Sequence, residues 1–413
     1  MLDIVIKKIV KALLYFPLFL LIGIPGFIFI KLVSPWILIR LEGINCARIG
    51  HFAGNMELYC CEMDAGINRP SRKYIDLFFF NNEPICNQYL ADLWKKKLTI
   101  LPFWFLYPIR TLIRFVPYSK KNLIYSGHHN DRDMSNLMDR FPKHLSIDEK
   151  DKKNGTELLE KLGIPGDAKI VTLLVRDSAY LAADTSADWS YHSYRDCNVE
   201  NFIPALEELT KMGYYVIRMG RKAETPLRVI NNKIIDYAFN DNQSDFLDIY
   251  IGARCEFCIT TGAGWDNVPS MLFRKPVIFT NLVPFGRLST YSKRFIVTTK
   301  RHIDKVTGTE LSMGEIFSKG LPYALRTADF DKQNIALVEN SAEEIKDATI
   351  EMLGYVNGTQ KFSVDEEKLQ NLFWEKYSQL LCAYPYPYAG SLHGEYKARF
   401  SSKYLVQNKN WVN

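Results

Sequence analysis

The residues of this sequence best suited to chemistry stand directly after runs of branched and aromatic side chains. The run at 257–260 leads into Thr261-Gly262-Ala263-Gly264, then Trp265, Asp266 and Asn267, an apolar stretch at 268–273 and a second run at 276–280. Strand, glycine-rich turn and helix in that order let a backbone approach a phosphate and turn free N–H groups toward its charge. A tight turn with no ligand has the same spacing. Arg176 and Arg218 each follow or close such a run, at 169–175 and 214–218. Guanidinium forks match phosphate oxygens, and a salt bridge at a strand end is the other reading of each. Gly220, two residues past Arg218, admits close backbone approach. Proton transfer has three candidates: His51, behind a glycine and an expected strand at 45–49, and the carboxylates Asp177 and Asp196.

The elements that must position these residues alternate. Strands are expected at 45–49, 74–80 and 98–101, with helices at 55–64 and 88–97 between and after the first two. A second series follows, with strands at 169–175, 214–218, 234–238, 257–260 and 276–280 and helices at 157–162, 202–212, 244–253 and 268–273. Such alternation predicts an α/β fold with a doubly wound parallel sheet. The charged stretch 147–156 holds few apolar side chains and reads as the boundary between the two series.

Charge is distributed unevenly. Residues 1–122 hold 16 Lys/Arg against 8 Asp/Glu, whereas the remainder holds 36 against 38. The positive excess accompanies the most apolar segments, which suits anionic lipid; no nucleic-acid module accompanies it. Residues 12–30 carry no charge, follow Lys7, Lys8 and Lys11, and are interrupted by Pro17 and Pro25. A straight span with the lysines inside would put the rest of the chain across the membrane. A proline-broken, re-entrant or monotopic segment would leave both ends in the cytoplasm, which the unpatterned cysteines of a reducing compartment favour. The stretch 103–118, with Arg110 and Arg114 four apart, reads as an interfacial helix or as a core helix with two snorkelling arginines. Cys255 and Cys258 read as core thiols, because no second pair stands at metal spacing. His128-His129 reads as a solvated loop, and Asp131-Arg132-Asp133 lacks the preceding apolar strand that would make it a metal site.

Residues 166–350 resemble the donor-binding half of GT-B glycosyltransferases. Several stretches resemble, in order, a bacterial family of glycosyltransferases associated with surface polysaccharides. They are Ala47-Arg48-Ile49-Gly50-His51, Val175-Arg176-Asp177-Ser178, Tyr194-Arg195-Asp196, residues 198–204 and Tyr215 to Gly220. The Gly262 loop with Lys275-Pro276, Glu339-Asn340-Ser341 and Ala398-Arg399-Phe400-Ser401 complete the set. The resemblance implies two Rossmann-like domains facing a cleft: a membrane segment at 1–41, an acceptor domain at 42–156 and a nucleotide-sugar domain at 157–382. A tail at 383–413 would return toward the first domain. Gly262, Ala263, Gly264, Trp265 and Asp266 would then hold the donor diphosphate, with Arg176, Arg218 and Gly220 beside it. His51 would take the acceptor hydroxyl proton, with Asp177 its rival. The implied partners are a nucleotide-sugar, a lipid-linked or polysaccharide acceptor and membrane lipids at the cytoplasmic face, without nucleic acid, metal or further cofactor. An epimerase or hydrolase on the same double fold, and a non-catalytic membrane scaffold, are the alternatives.

Overall fold

Parallel strands need crossover connections, which helices supply in both halves of the chain, though not at every crossover. The computed structural model describes residues 16–124, 132–179, 190–388 and 390–412; His128, His129, Asp131 and the start of the N-terminal apolar run lie outside them. The chain divides into two units, residues 1–131 and 132–413.

In the first unit, a π-helical turn, Phe19–Gly23, runs into α1, Ile24–Val33. Strand β1, Leu38–Ile44, pairs in parallel with β2, Tyr74–Phe80, from Leu38 opposite Tyr74 to Ile44 opposite Phe80. Helix α2, Ile49–Asp64, makes the crossover. Single bridges, Leu41 to Leu123 and Phe78 to Ile100, widen the sheet on both sides. Helix α3, Gln88–Lys97, starts where the Asn87 side chain accepts from the Leu90 amide at 2.8 Å. Helix α4, Phe103–Phe115, buries Leu106, Ile109 and Ile113 in one cluster with Ile39, Leu41 and Phe79.

The strand expected at 45–49 is displaced to 38–44, so the apolar end of the expected membrane segment is the start of β1. Its charged residues disguised it. Arg40 is buried because Asp76 on β2 takes both arms of its guanidinium, at 2.7 and 2.5 Å, and Glu42 pairs with Arg110 of α4. Arg110 is therefore an ion-pair partner within this unit rather than a snorkelling residue.

The second unit carries seven parallel strands: β3 (Ile170–Leu174), β4 (Tyr215–Arg218), β5 (Ile234–Asp236), β6 (Phe257–Thr260), β7 (Val277–Leu282), β8 (Phe295–Thr299) and, after the antiparallel pair β9 (Arg301–Asp304) and β10 (Ile335–Val338), β11 (Arg399–Phe400). Their order across the sheet is β11-β8-β7-β6-β3-β4-β5. The charged stretch expected as a boundary lies mostly within helix α5, Glu149–Lys161, capped by the Asp148 side chain. Gly155 lacks a side chain where the Tyr250 ring lies against the helix. Helices α6 (Ile203–Lys211), α7 (Asp245–Arg254), α8 (Ala342–Val356) and α9 (Val364–Ala383) follow. Val171 and Leu173 of β3 join Phe257, Ile259, Ile278 and Ile296 in the core that α6 and α8 complete. The intervening residues Ile170, Thr172 and Leu174 are equally buried and point to the other face, where α7 packs on β3 and α5. Both faces are covered, as the continuous apolar runs of a parallel sheet require.

The tail expected to return toward the first domain adds a strand to the second unit's own sheet. Residues Arg399 and Phe400 pair with Ile296 and Val297 of β8, and Phe400 packs against Phe373 of α9 with ring centroids 4.4 Å apart. All eight cysteines are free, and Cys255 and Cys258 are buried.

His302 on β9 is fully buried, and neither ring nitrogen has a hydrogen-bond partner among the described residues. Burial lowers its pKa from 6.5 to about 4. Between those values the unfolded chain binds the extra proton, so stability falls as pH drops through that window. In urea unfolding, His302→Leu is expected to flatten the acid limb between pH 6.5 and 4. An unchanged acid slope would show that His302 is not a group that titrates on unfolding; His393, lowered by burial to about 3, keeps its own share.

Candidate functional site

The strand order reverses between β3 and β6: from β3 the chain first builds outward to β4 and β5, then returns to lay β6 on the opposite side. At such a reversal the two following loops part and leave a crevice at the carboxyl edge. Arg176 follows β3 and Thr261 follows β6. Their loops are joined where the Arg176 amide donates to Thr261 Oγ1 at 2.9 Å and the Thr261 amide donates to Leu174 O at 3.1 Å.

The glycine loop itself is shaped from within. Gly262 and Gly264 have φ of +78° and +84°, a region that side chains disfavour. The Thr260 hydroxyl accepts from the Gly262 amide at 3.0 Å and donates to Asp266 Oδ2 at 2.9 Å. The same carboxylate oxygen accepts from the Ala263 amide at 3.0 Å. Trp265 is buried, and its indole N–H donates to Asp248 O on α7 at 2.9 Å. The expected helix at 268–273 is a five-residue π-helical turn, Val268–Leu272, with Pro269 inside it. Two of the loop amides expected to face a phosphate are thus satisfied internally, and no long helix stands behind them. The Gly264 amide has no partner among the described residues. Asp266 is a brace, not a ligand-facing group.

Cations surround this loop. Arg176 Nε reaches Asp196 Oδ1 at 3.3 Å. Arg195, at the end of the 3-10 turn Ser190–Arg195, donates through Nη2 to the Gly262 carbonyl. Lys300, directly after β8, is buried and donates to Asp196 O at 2.6 Å. Burial lowers the pKa of Arg176, the like charge of Arg195 adds to that, and the Asp196 carboxylate opposes it. Burial likewise raises Asp196, against the pull of Arg176. Arg176 meets the Asp196 carboxylate, whereas Arg195 and Lys300 are bonded to main-chain carbonyls and to no carboxylate among the described residues, an arrangement that suits an added anion.

The sequence-expected residues separate into two groups. Arg176, Gly262, Ala263 and Gly264 meet at the reversal and are partly exposed. Arg218, Asp177 and Gly220 meet elsewhere, around β4 and β5. Arg218 is 1% exposed, donates to Thr225 O at 2.6 Å and Asp236 Oδ2 at 3.2 Å, and lies 3.8 Å from Asp177 Oδ2. Asp177 also accepts from the amides of Ala179 and Glu224, at 3.1 and 2.9 Å. The Gly220 carbonyl accepts from Gln243 Nε2 at 3.1 Å. This is a buried knot that fixes two loops and leaves no guanidinium face for a ligand. His51 lies in the first turn of α2 in the first unit, partly exposed. Because the strand ends at Ile44, His51 is a helical residue rather than a loop residue.

Sequence reasoning missed Arg195 and Lys300. Lys300 obeys the rule that singled out Arg176 and Arg218, a basic residue at the carboxyl end of a strand. Arg195 stands between two residues already noted, Tyr194 and Asp196.

No family model matches the sequence, and no curated protein matches it. Among solved structures the chain is similar to E. coli ADP-heptose lps heptosyltransferase II, with a TM-score of 0.38, 12% identity and coverage of 64% of this chain and 90% of that one. It is also similar to a glycosyl transferase of family 9 from Veillonella parvula DSM 2008, with a TM-score of 0.43, 10% identity and coverage of 79% and 98%. A third similar structure is the E. coli heptosyltransferase WaaC with ADP-2-deoxy-2-fluoro heptose, with a TM-score of 0.30, 11% identity and coverage of 62% and 92%.

Replacing Arg218 by Met removes the buried cation that Asp236 and Asp177, both partly buried, lie against. The expected loss of stability is about 3–5 kcal/mol, measured by urea unfolding in the absence of ligand. Retention of native stability would mean that Arg218 does not hold the loops together.

Proposed function

We propose that the second unit binds the diphosphate of a nucleotide-sugar at the β3/β6 reversal, and that the chain transfers the sugar to a lipid-linked or surface-polysaccharide acceptor. The observation that carries this reading is the gathering of Arg176, Arg195 and Lys300 near the Gly262 loop and the turn that holds Asp196, with Arg195 and Lys300 bonded to carbonyls rather than carboxylates. Arg176 and Arg195 are the proposed ligands of phosphate oxygens, which suit guanidinium forks. Gly262, Ala263 and Gly264 give the backbone room to approach, and the Gly264 amide is the donor the loop still offers. Lys300, through the Asp196 carbonyl, positions the turn that carries Arg195.

The departing nucleoside diphosphate gains negative charge as the glycosidic bond forms. Fixed cations aimed at that charge lower the barrier without reorganising when the reaction occurs. They supply the role that a divalent ion would otherwise play, so the transfer is proposed to be metal-independent. His51 is the proposed base for the acceptor hydroxyl, histidine being the residue type most used for that proton transfer. Asp177, with both oxygens engaged, is assigned a positioning role. The cytoplasmic membrane face is the proposed place of action, where donor and lipid-linked acceptor meet.

The test is thermal unfolding of the full chain in detergent with UDP, GDP, CMP, dTDP and ADP in turn. One nucleotide is expected to raise the midpoint, by the equivalent of about 2.7 kcal/mol at 100 times its dissociation constant. Arg176→Ala and Arg195→Ala should each weaken that binding roughly tenfold or more, about 1.4 kcal/mol. Binding that is untouched by both substitutions, or absent for every nucleotide at millimolar concentration, would contradict the assignment. Release of free sugar from a bound nucleotide-sugar in place of transfer would identify a hydrolase.

A further inference from the structure

The first unit carries a surface that the transferase reading does not use. Residues Phe16–Val33 form one apolar helical segment of 18 residues, long enough to cross a membrane by length and composition. Such a segment spans about 27 Å, close to the ~30 Å of a bilayer's hydrocarbon core. The packing argues against crossing. A side chain at Gly23 would meet Leu112 and Pro108 of α4 at 3.2 Å, and one at Gly26 would collide with Ile109. Phe19 meets Tyr107 edge-on, with centroids 6.5 Å apart. Further along, Ile30 is buried in the cluster that includes Ile39 and Leu41 of β1 and Phe79 of β2. The segment therefore lies side-on against α4 and the sheet from Phe19 to Ile30. A helix held along its length in this way cannot stand across a bilayer without drawing α4, β1 and the buried Arg40–Asp76 and Glu42–Arg110 pairs in with it.

Both helices nevertheless expose large apolar side chains. Leu21 is 75% exposed, Trp36 75%, Trp104 54% and Phe115 79%, with Phe29 and Leu32 also open. Exposed apolar side chains of this size, on two helices packed together and on the turn after α1 that carries Trp36, suit an interaction surface. Residues 16–41 and 98–124 contain no Asp or Glu, while Lys31, Arg114, Lys120 and Lys121 are all present. Lys31 and Lys121 are near enough to repel each other. Bulky aromatic and aliphatic groups beside Lys31, Lys120 and Lys121 complement a lipid surface bearing negative headgroups.

We infer that α1 and α4 together form one face that enters a single leaflet of an anionic bilayer, and that residues 16–33 do not cross it. The inference does not rest on the transferase reading. The test adds purified full-length protein to preformed vesicles of phosphatidylcholine, with or without phosphatidylglycerol, and measures flotation. The protein is expected to float with the anionic vesicles and to be partly released by salt, as screening requires. Trp104→Ser with Phe115→Ser, on α4, should reduce partitioning roughly tenfold or more, as should Leu21→Ser with Phe29→Ser beside it. All four side chains are exposed, so unchanged melting curves serve as the control for folding. A Lys120→Glu, Lys121→Glu variant should lose the preference for phosphatidylglycerol while keeping the apolar face. If the α4 substitutions leave flotation at its native level while the α1-side pair abolishes it, and salt has no effect, the segment acts alone as a spanning anchor and the inference is overturned.

Discussion

Positive side chains drawn partly out of water and held by carbonyl oxygens as well as by Asp196 are the constraint on which the second unit's carboxyl edge depends. Arg176, Arg195 and Lys300 come from three separate stretches, after β3, before α6 and after β8. They are held near one another by bonds to the backbone as much as by charge. Arg195 is fixed by the Gly262 carbonyl, and Lys300 by the Asp196 carbonyl. Carbonyl oxygens orient a cation without neutralising it. The cluster therefore remains a net positive site, built before any ligand arrives, and preorganisation of this kind is what makes an electrostatic site effective.

The surroundings explain how such a site stays in place. Asp266 fills the inside of the glycine loop and binds the Thr260 hydroxyl and the Ala263 amide, so the loop keeps its shape without a ligand. On the other flank, Arg218 binds Asp236 and the Thr225 carbonyl and lies close to Asp177. This ties the loops after β3 and β4 to the sheet edge. Buried ion pairs seldom add much stability over an apolar equivalent, but breaking one is costly. Here they fix the ends of the strands from which the site is built.

Much of this was legible in the sequence because parallel strands buried on both faces leave continuous apolar runs. The runs at 169–175, 214–218 and 257–260 each matched a strand within a residue or two. The glycines at 262 and 264 were legible for a related reason, since a positive φ leaves a compositional trace. Illegible features arose where tertiary pairing reversed the meaning of a residue. Arg40 and Glu42 look like solvent-facing charges, yet both lie in β1 with partners distant in sequence, so the strand is expected several residues too late, at 45–49, with His51 directly behind it rather than inside α2. The charged stretch at 147–156 reads as a linker because only Ile147 and Gly155 within it are buried, the latter against Tyr250. Arg176 and Arg218 stand in equivalent places in the sequence pattern. What separates them is the strand order, which puts Arg176 at the reversal and Arg218 beside a buried carboxylate.

The central claim is that the β3/β6 reversal is where the donor binds. Hydrogen exchange of the full chain, with and without the nucleotide that most stabilises it, tests this most directly. Slowed exchange confined to the Gly262 loop and the Tyr194-Arg195-Asp196 turn is the predicted result. Binding that leaves both stretches unchanged and protects another part of the chain would contradict it.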